Sequence, residues 1–448
     1  MKLSYRNRWY HFFWRWLYSL ILLMLMPLLC LKLMTKKANA TGLIKHKNRQ
    51  RFGFTANGLK KNGVIVHCVS MGEVNAAQGI IEKLIVAYPS MPVTVTTTSV
   101  TGAEHAVKLF ADRVQHSFLP IDFPVCIWLF LRRLKPKMLM VTEVEIWPNL
   151  LHQCYQNKIP AILINARMTD RSLINYKRLA YLFRPSLRKF TCICAQAKAD
   201  FENFVSMGVY KTQLVLTNNL KFDLQANPED EQKAKTLIGH FGLQDKTILL
   251  AASTHDGEEK VLIDCYASLK ASFEDLVLCI VPRYPHRFND VIQLVNASGL
   301  NCVSLSAAAV DRSKKIDVAV IDKMGMLKAA YSISNMAFVG GSLVSKGGHN
   351  PLEGALYQVP MCMGPSVFNN PAITSLLKES KALTIVQNQN QIVELFGAWL
   401  VDTHEAVRLG AQGKKILAIN AGALELTLSC VQAILKQDTA RFEQQSCK

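Results

Sequence analysis

From Gly63 onward the chain alternates short, almost wholly apolar runs with longer amphipathic stretches, and this rhythm leaves few folds open. Residues 64–69, 93–97, 138–141, 161–165, 191–195 and 214–216 are the strand-like runs of the first half. Helical spacing falls between them, for example at residues 76–87, 103–111 and 200–205. Strands that are apolar on both faces need cover on both faces, which predicts a parallel sheet between layers of helices. The rhythm breaks at 224–246, where Gln225-Ala226-Asn227-Pro228-Glu229-Asp230 reads as a linker or a helix start. It resumes with strands at 247–251, 276–281, 318–321, 337–339 and 382–385, and then a long helical tail from about Thr403 to Leu435.

At 448 residues the chain is too long for one ordinary core. The expectation is therefore an α/β protein of two Rossmann-like domains, 55–223 and 247–435, joined by a linker at 224–246 and facing across a cleft. Ligands of open parallel sheets bind at the carboxyl ends of the strands, so residues just after each strand are the ones to read. No G-x-G-x-x-G follows the first strand and no Walker loop occurs, which disfavours NAD and P-loop chemistry.

Charge is concentrated at one end. Of the net +19, residues 1–72 supply thirteen Lys or Arg and no Asp or Glu. These charges flank an apolar segment at 16–31, so an anionic membrane surface explains them better than nucleic acid does. As a helix, 16–31 covers ~24 Å, short of a ~30 Å hydrocarbon core. Snorkelling of Arg15 and Lys32 would extend it to about 34. A cleaved signal peptide is the alternative, because Ala38-Asn39-Ala40 resembles a cleavage site, but three lysines stand between it and the apolar run. Residues 1–40 are thus expected to be a basic segment with a retained anchor, and the excess of Lys and Arg after the apolar run places the following domains in the cytosol. Whether the helix spans the bilayer or lies in its interface stays open.

The twelve cysteines are scattered, with no C-x-x-C and only Cys192-Ile193-Cys194 close together. That pattern points to free thiols in a reducing compartment and argues against a metal cluster.

Several strand ends carry chemistry. Glu73, in Ser70-Met71-Gly72-Glu73-Val74, is the first acidic residue of the chain. It reads equally as the N3 member of a capping box and as a general base. Glu143 and Glu145 follow a later strand, either to cap a helix at Trp147-Pro148 or to hold a polar substrate. Lys221 precedes the expected linker and is either a surface lysine or a ligand of the cleft. In the second half, Arg283 lies between Pro282 and Pro285, where its forked donors suit a phosphate or a base edge. Residues 337–339 form a strand that runs into Gly340-Gly341-Ser342, with a second pair at Gly347-Gly348. A helix is expected to open there with Asn350 as N-cap, Pro351 at N1 and Glu353 at N3. Free amides among these glycines would hold a phosphate.

Together these segments resemble the 3-deoxy-D-manno-octulosonic acid (Kdo) transferases of lipid A biosynthesis. The matches run in family order: Ser70 to Val74, Thr101-Gly102-Ala103-Glu104, Leu119-Pro120-Ile121-Asp122, Glu143 to Asn149, Asn165-Ala166-Arg167, Asn219 to Asp223, Ala252 to His255, Pro282 to Arg287 and Gly340 to Glu353. The resemblance implies a GT-B fold, a CMP-Kdo donor, a lipid A precursor as acceptor, and inversion without a required metal or other cofactor. It implies inner-membrane lipids as surroundings, catalytic domains on the cytosolic face, and no nucleic-acid partner. By position, Glu73 matches the proton acceptor, and Glu143 and Lys221 match residues that stabilise the transition state. Pro282, Arg283, Met324, Gly325, Met326, Asn350, Pro351, Leu352 and Glu353 match CMP-contacting segments. The family usually has Met-Gly-Glu-Leu where this chain has Met324-Gly325-Met326-Leu327, so the resemblance implies backbone contacts there. Another GT-B transferase using a UDP-sugar is the alternative enzyme, and a membrane-tethered nucleic-acid binder the alternative of a different class.

Overall fold

The computed structural model describes residues 5–35, 47–55, 58–307 and 315–446, and Ala38-Asn39-Ala40 lies outside these. The chain divides into two compact units, one of residues 1–223 with 421–448 and the other of residues 224–420.

The first unit is built on strands β1 (Val64–His67), β2 (Val93–Thr97), β3 (Gln115–Phe118), β4 (Met138–Thr142), β5 (Ala161–Ala166), β6 (Cys192–Ala195) and β7 (Leu214–Leu216). They form one parallel sheet in the order β3-β2-β1-β4-β5-β6-β7. Alternation along each strand feeds two cores. Val64, Val66, Met138, Met140, Ile162 and Ile164 face one layer of helices, and Ile65, Leu139, Val141, Leu163 and Ile193 face the other. A slip of one residue in the Val64↔Met138 register would exchange these faces, so burial on both sides fixes the pairing. Each fully buried Val or Ile contributes roughly 1.5–3 kcal/mol of transfer free energy.

The second unit carries β8 (Thr247–Thr254), β9 (Leu276–Pro282), β10 (Cys302–Ser304), β11 (Val318–Val320), β12 (Met336–Val339), β13 (Met361–Met363) and β14 (Leu383–Ile385). These are again parallel, in the order β10-β11-β9-β8-β12-β13-β14. The sequence reading missed β3, β10 and β13. The first two are short edge strands with polar or half-exposed side chains, and β13 has only three residues.

Two expectations about connections change. Of the two readings of 225–230 the helix start holds, and most of 224–246 is not linker: Pro228–Phe241 is a helix with Asn227 as N-cap, Asp230 completing the capping box, and Leu237 and Phe241 buried. The tail is not one helix. Gly422, at φ +101, separates Thr403–Asn420 from Ala423–Ser446. The first piece packs in the second unit, with Gly413 against Ala355. The second piece returns to the first unit, where Leu424 sits over Gly79 of the Met71–Ala87 helix. Asp223 holds this return helix, since its two carboxylate oxygens accept from the Gly422 and Leu424 amides at 2.6 Å each.

The N-terminal helix runs Tyr5–Thr35, and its window His11–Leu28, of mean hydropathy 1.3, is long and apolar enough to cross a membrane. The Thr403–Lys436 region passes the same test, but it is the broken pair of helices just described. Arg15 does not snorkel. It is buried and donates to Asn149 Oδ1 at 3.0 Å, while Asn149 Nδ2 donates to Ser19 Oγ at 3.0 Å. Asp122 supports this contact by accepting from the Asn149 and Leu150 amides at 2.9 and 2.8 Å, which caps the Pro148–Gln156 helix. Asp122 and Asn149 therefore dock the N-terminal helix.

Candidate active site

In the first sheet β1 has β2 on one side and β4 on the other, so its carboxyl end is a topological switch point. The chain leaves β1 through Val69 and Ser70 into the Met71–Ala87 helix, and Glu73 stands in the first turn. Its capping geometry is present, because Ser70 Oγ accepts from Glu73 N at 3.4 Å and donates to Glu73 Oε1 at 3.2 Å. The other carboxylate oxygen accepts from Val69 N at 2.7 Å and Thr142 Oγ1 at 2.8 Å. Capping alone does not require burial, yet Glu73 is 8% exposed. Burial raises its pKa above the ordinary glutamate value; hydrogen bonds from Val69 and Thr142 oppose this, and the Glu143 charge adds to the rise.

Glu143 directly follows β4 with φ +56, a left-handed conformation costly for a residue with a side chain. Glu145, two residues on, has its pKa pushed up to about 7 by burial and then by the Glu73 charge. Three carboxyl groups thus lie near the ends of β1 and β4, and of these Glu145, at about 7, is the one that holds a proton toward neutral pH. Lys221 is half-buried in the Leu220–Phe222 turn, which packs beside the Met71–Ala87 helix, and Asn165 at the end of β5 fixes that turn by accepting from Leu220 N at 3.0 Å. Glu73 and Glu143 therefore come from neighbouring strand ends, and the Lys221 turn, which follows β7 at the sheet edge, is brought back beside the helix that carries Glu73.

In the second sheet the switch point is the end of β8, between β9 and β12. Here the structure corrects the expected phosphate cradle. The Gly341, Ser342 and Leu343 amides do not stand free, because Glu258 accepts from all three at 2.8–3.0 Å, and also from His255 N at 2.9 Å. Gly347 N and Gly348 N are likewise engaged, by Ser366 Oγ and Gly341 O. The glycines serve close approach instead: a Cβ on Gly340 would lie 2.4 Å from Ser253 O. The expected helix is also shorter and starts later. It runs Leu352–Leu356 with Pro351 at the N-cap, and Asn350 Oδ1 accepts from Leu352 N at 3.2 Å.

What remains open to a ligand is a charged group beside this loop. Arg283 follows Pro282 at the end of β9 and lies close enough to His349, His255 and Glu353 to shift each of them. Glu353 has its pKa raised by burial, with Lys328 and then Arg283 pulling it down. His255 and His349 stack, with Nε2 atoms 2.9 Å apart, so one ring donates to the other. Burial lowers the pKa of both, that of His349 to about 3, and the pair stays neutral at physiological pH. Arg287, by contrast, is taken up by Asp256 and the fully buried Glu259 at 2.7 and 3.1 Å.

Met324 is exposed, Gly325 has φ +82, and Met326 is buried at the start of the Leu327–Ser332 helix that carries Lys328. Leu352 is fully buried, so Pro351 and Leu352 offer backbone and shape rather than polar side chains. Sequence reasoning did not assign roles to Glu258, His349 or Lys328. The available signals were the acidic pair Glu258-Glu259 opening a helix and the histidine inside the glycine segment.

Among solved structures, a UDP-GlcNAc 2-epimerase from Neisseria meningitidis bound to UDP-GlcNAc superposes with a TM-score of 0.55 at 14% identity, covering 83% of this chain and 100% of that one. That likeness is one of fold, and with two parallel seven-stranded sheets it makes the chain an α/β protein of the GT-B type. Residues 46–224 match the family described as 3-Deoxy-D-manno-octulosonic-acid transferase (kdotransferase). A 3-deoxy-D-manno-octulosonic acid transferase of Haemophilus influenzae is 34% identical over 430 residues, 95% of this chain and 100% of that protein. One from Bordetella pertussis is 31% identical over 368 residues, 79% and 84% of the two. The chain belongs to the Kdo transferase family and is a glycosyltransferase.

Proposed function

We propose that this enzyme moves Kdo from CMP-Kdo to a lipid A precursor, lipid IVA, at the cytosolic face of the inner membrane, with inversion at the anomeric carbon and Glu73 as general base. The observation that carries the reading is the buried Glu73 carboxyl at the β1 switch point, with its proton affinity raised by burial and by Glu143. An acceptor hydroxyl attacking the anomeric carbon must lose a proton, and a carboxylate tuned above its ordinary pKa is suited to take it. Glu143 follows the strand next to β1 and Lys221 stands on the turn beside the Met71–Ala87 helix, and their role is to steady charge as the bond forms.

In the second unit Arg283 meets the phosphate of CMP, while Glu353 accepts from ribose hydroxyls. Met324, Gly325, Asn350, Pro351 and Leu352 shape the surroundings of the nucleotide through backbone and packing, and Met326 supports them from the core. Glu258 does not touch the ligand; it holds the glycine loop rigid.

The acceptor is a phosphorylated lipid, and two features support a membrane location. The N-terminal helix exposes Phe12, Phe13, Trp16, Leu20, Ile21, Leu23 and Met24, and it docks on the first unit through Arg15 and Ser19. Titration calorimetry with CMP and with UDP tests the donor: binding of CMP with no binding of UDP supports the reading, and the reverse preference overturns it.

A further inference from the structure

The scattered cysteines looked like isolated core residues, but the fold gathers three of them. Cys192 and Cys194 are two apart in β6, so the pleat turns both toward one face. Their Sγ atoms are 4.0 Å apart. Cys430 reaches them from the return helix, and the three Sγ atoms all lie within 4.8 Å of one another. Sequence spacing gave no sign of this, because the third thiol arrives from the far end of the chain.

Packing alone would accept three small side chains here, since the surrounding residues include Leu220, Leu428 and Val431. Packing does not require their sulfur atoms to converge, however. With one side at 4.0 Å and the others no longer than 4.8 Å, the S₃ triangle has its centre roughly 2.3–2.7 Å from each corner, so a shift of a few tenths of an ångström gives the ~2.3 Å of a zinc–thiolate bond. Cys194 is buried, whereas Cys192 and Cys430 are half-buried, which leaves one side open for entry and for a water ligand. Among the described residues no His, Asp or Glu atom joins the group, so the donors are all sulfur, the choice of soft cations.

We propose that Cys192, Cys194 and Cys430 form a three-thiolate site for a soft, thiophilic cation that pins the return helix to β6. Binding forms three metal–sulfur bonds, and the three thiol protons leave to solvent. Zinc(II) leaves a net charge of −1 in these apolar surroundings and copper(I) leaves −2, so zinc is the better charge match within the same chemistry.

The test uses full-length protein in detergent, reduced and stripped by a chelator. Zinc(II) and, anaerobically, copper(I) are titrated against a chromophoric chelator, and cobalt(II) serves as an optical stand-in. One equivalent per chain is expected, with a sulfur-to-cobalt charge-transfer band and a rise in Tm on adding metal. Affinity should weaken roughly tenfold or more in Cys430→Ser and Cys192→Ser. It should be unchanged in Cys302→Ser, a half-buried cysteine outside the cluster. Should a serine variant fail to fold, Cys430→Ala and Cys192→Ala carry the same comparison. If neither cation binds the unaltered chain more tightly than the Cys430 variants, the proposal is overturned.

Discussion

Glu73 and Glu258 occupy corresponding corners of the two sheets, each in the first turn of a helix that leaves a switch-point strand, yet their surroundings divide them. Glu258 spends both oxygens on four backbone amides, so its role is structural. Replacing it by Gln turns an amide NH₂ toward those donors and should cost about 3 kcal/mol, read by denaturant unfolding, with weakened CMP binding. Glu73 is also hydrogen-bonded, but its raised pKa and its carboxylate neighbours suit proton transfer. Glu73→Gln should lower kcat by roughly 10²–10⁴-fold and leave the CMP dissociation constant nearly unchanged. Turnover near the unaltered rate would remove it as the base.

Glu145 gives a pH prediction. Its folded pKa, about 7, lies above the unfolded value, so its stabilisation is full below the unfolded pKa and is lost as pH rises through about 7. Glu145→Gln mimics the protonated form. It should therefore gain stability relative to the unaltered chain at pH 8 compared with pH 5, by on the order of 1–3 kcal/mol. Equal differences in urea melts at the two pH values would contradict this.

Among the elements, the return helix is the most exposed to a single change. Asp223 caps its start with both carboxylate oxygens. Asp223→Ala should cost about 1–2 kcal/mol and speed amide exchange across residues 423–435 while leaving β8, β9 and β12 unaffected. No change in that segment would mean the cap is dispensable.

The central strands of both sheets were legible in the sequence, because burial on both faces demands unbroken β-branched runs such as Val64-Ile65-Val66. The edge strand Gln115–Phe118 is also largely buried, but three of its four residues are polar, so it reads as loop. Glu73 and Arg283 stand out as charged residues just past apolar strands, but the roles given to them and to Glu353 come from the family resemblance, because a capping carboxylate or a surface ion pair reads the same in the sequence. The role of Glu258 was not, since a carboxylate at a helix start is favoured by the dipole whether or not it also holds a distant loop. The break at Gly422 was hidden by helix-forming residues on both sides. The meeting of Cys430 with β6 depends on that break.

At the scale of the whole molecule, each unit brings its own chemistry: carboxylates and Lys221 in the first, Arg283, Lys328 and Glu353 in the second. The N-terminal helix is compatible with a membrane anchor. Its polar residues Arg15 and Ser19 are buried against Asn149, and its apolar side chains stay outward. Removing residues 1–35 should therefore shift the protein from the membrane pellet toward the soluble fraction while leaving CMP affinity intact. Full retention in the pellet would assign membrane attachment to another surface.

Kdo transfer from a cytidylyl donor to a lipid acceptor is the proposed reaction. Mass spectrometry of the product formed by purified enzyme, CMP-Kdo and lipid IVA reads it without an intermediary. Acceptor ions heavier by whole Kdo residues are expected, absent with UDP-sugars and strongly reduced with Glu73→Gln. No mass increase with CMP-Kdo, or an increase with a UDP-sugar instead, would contradict it.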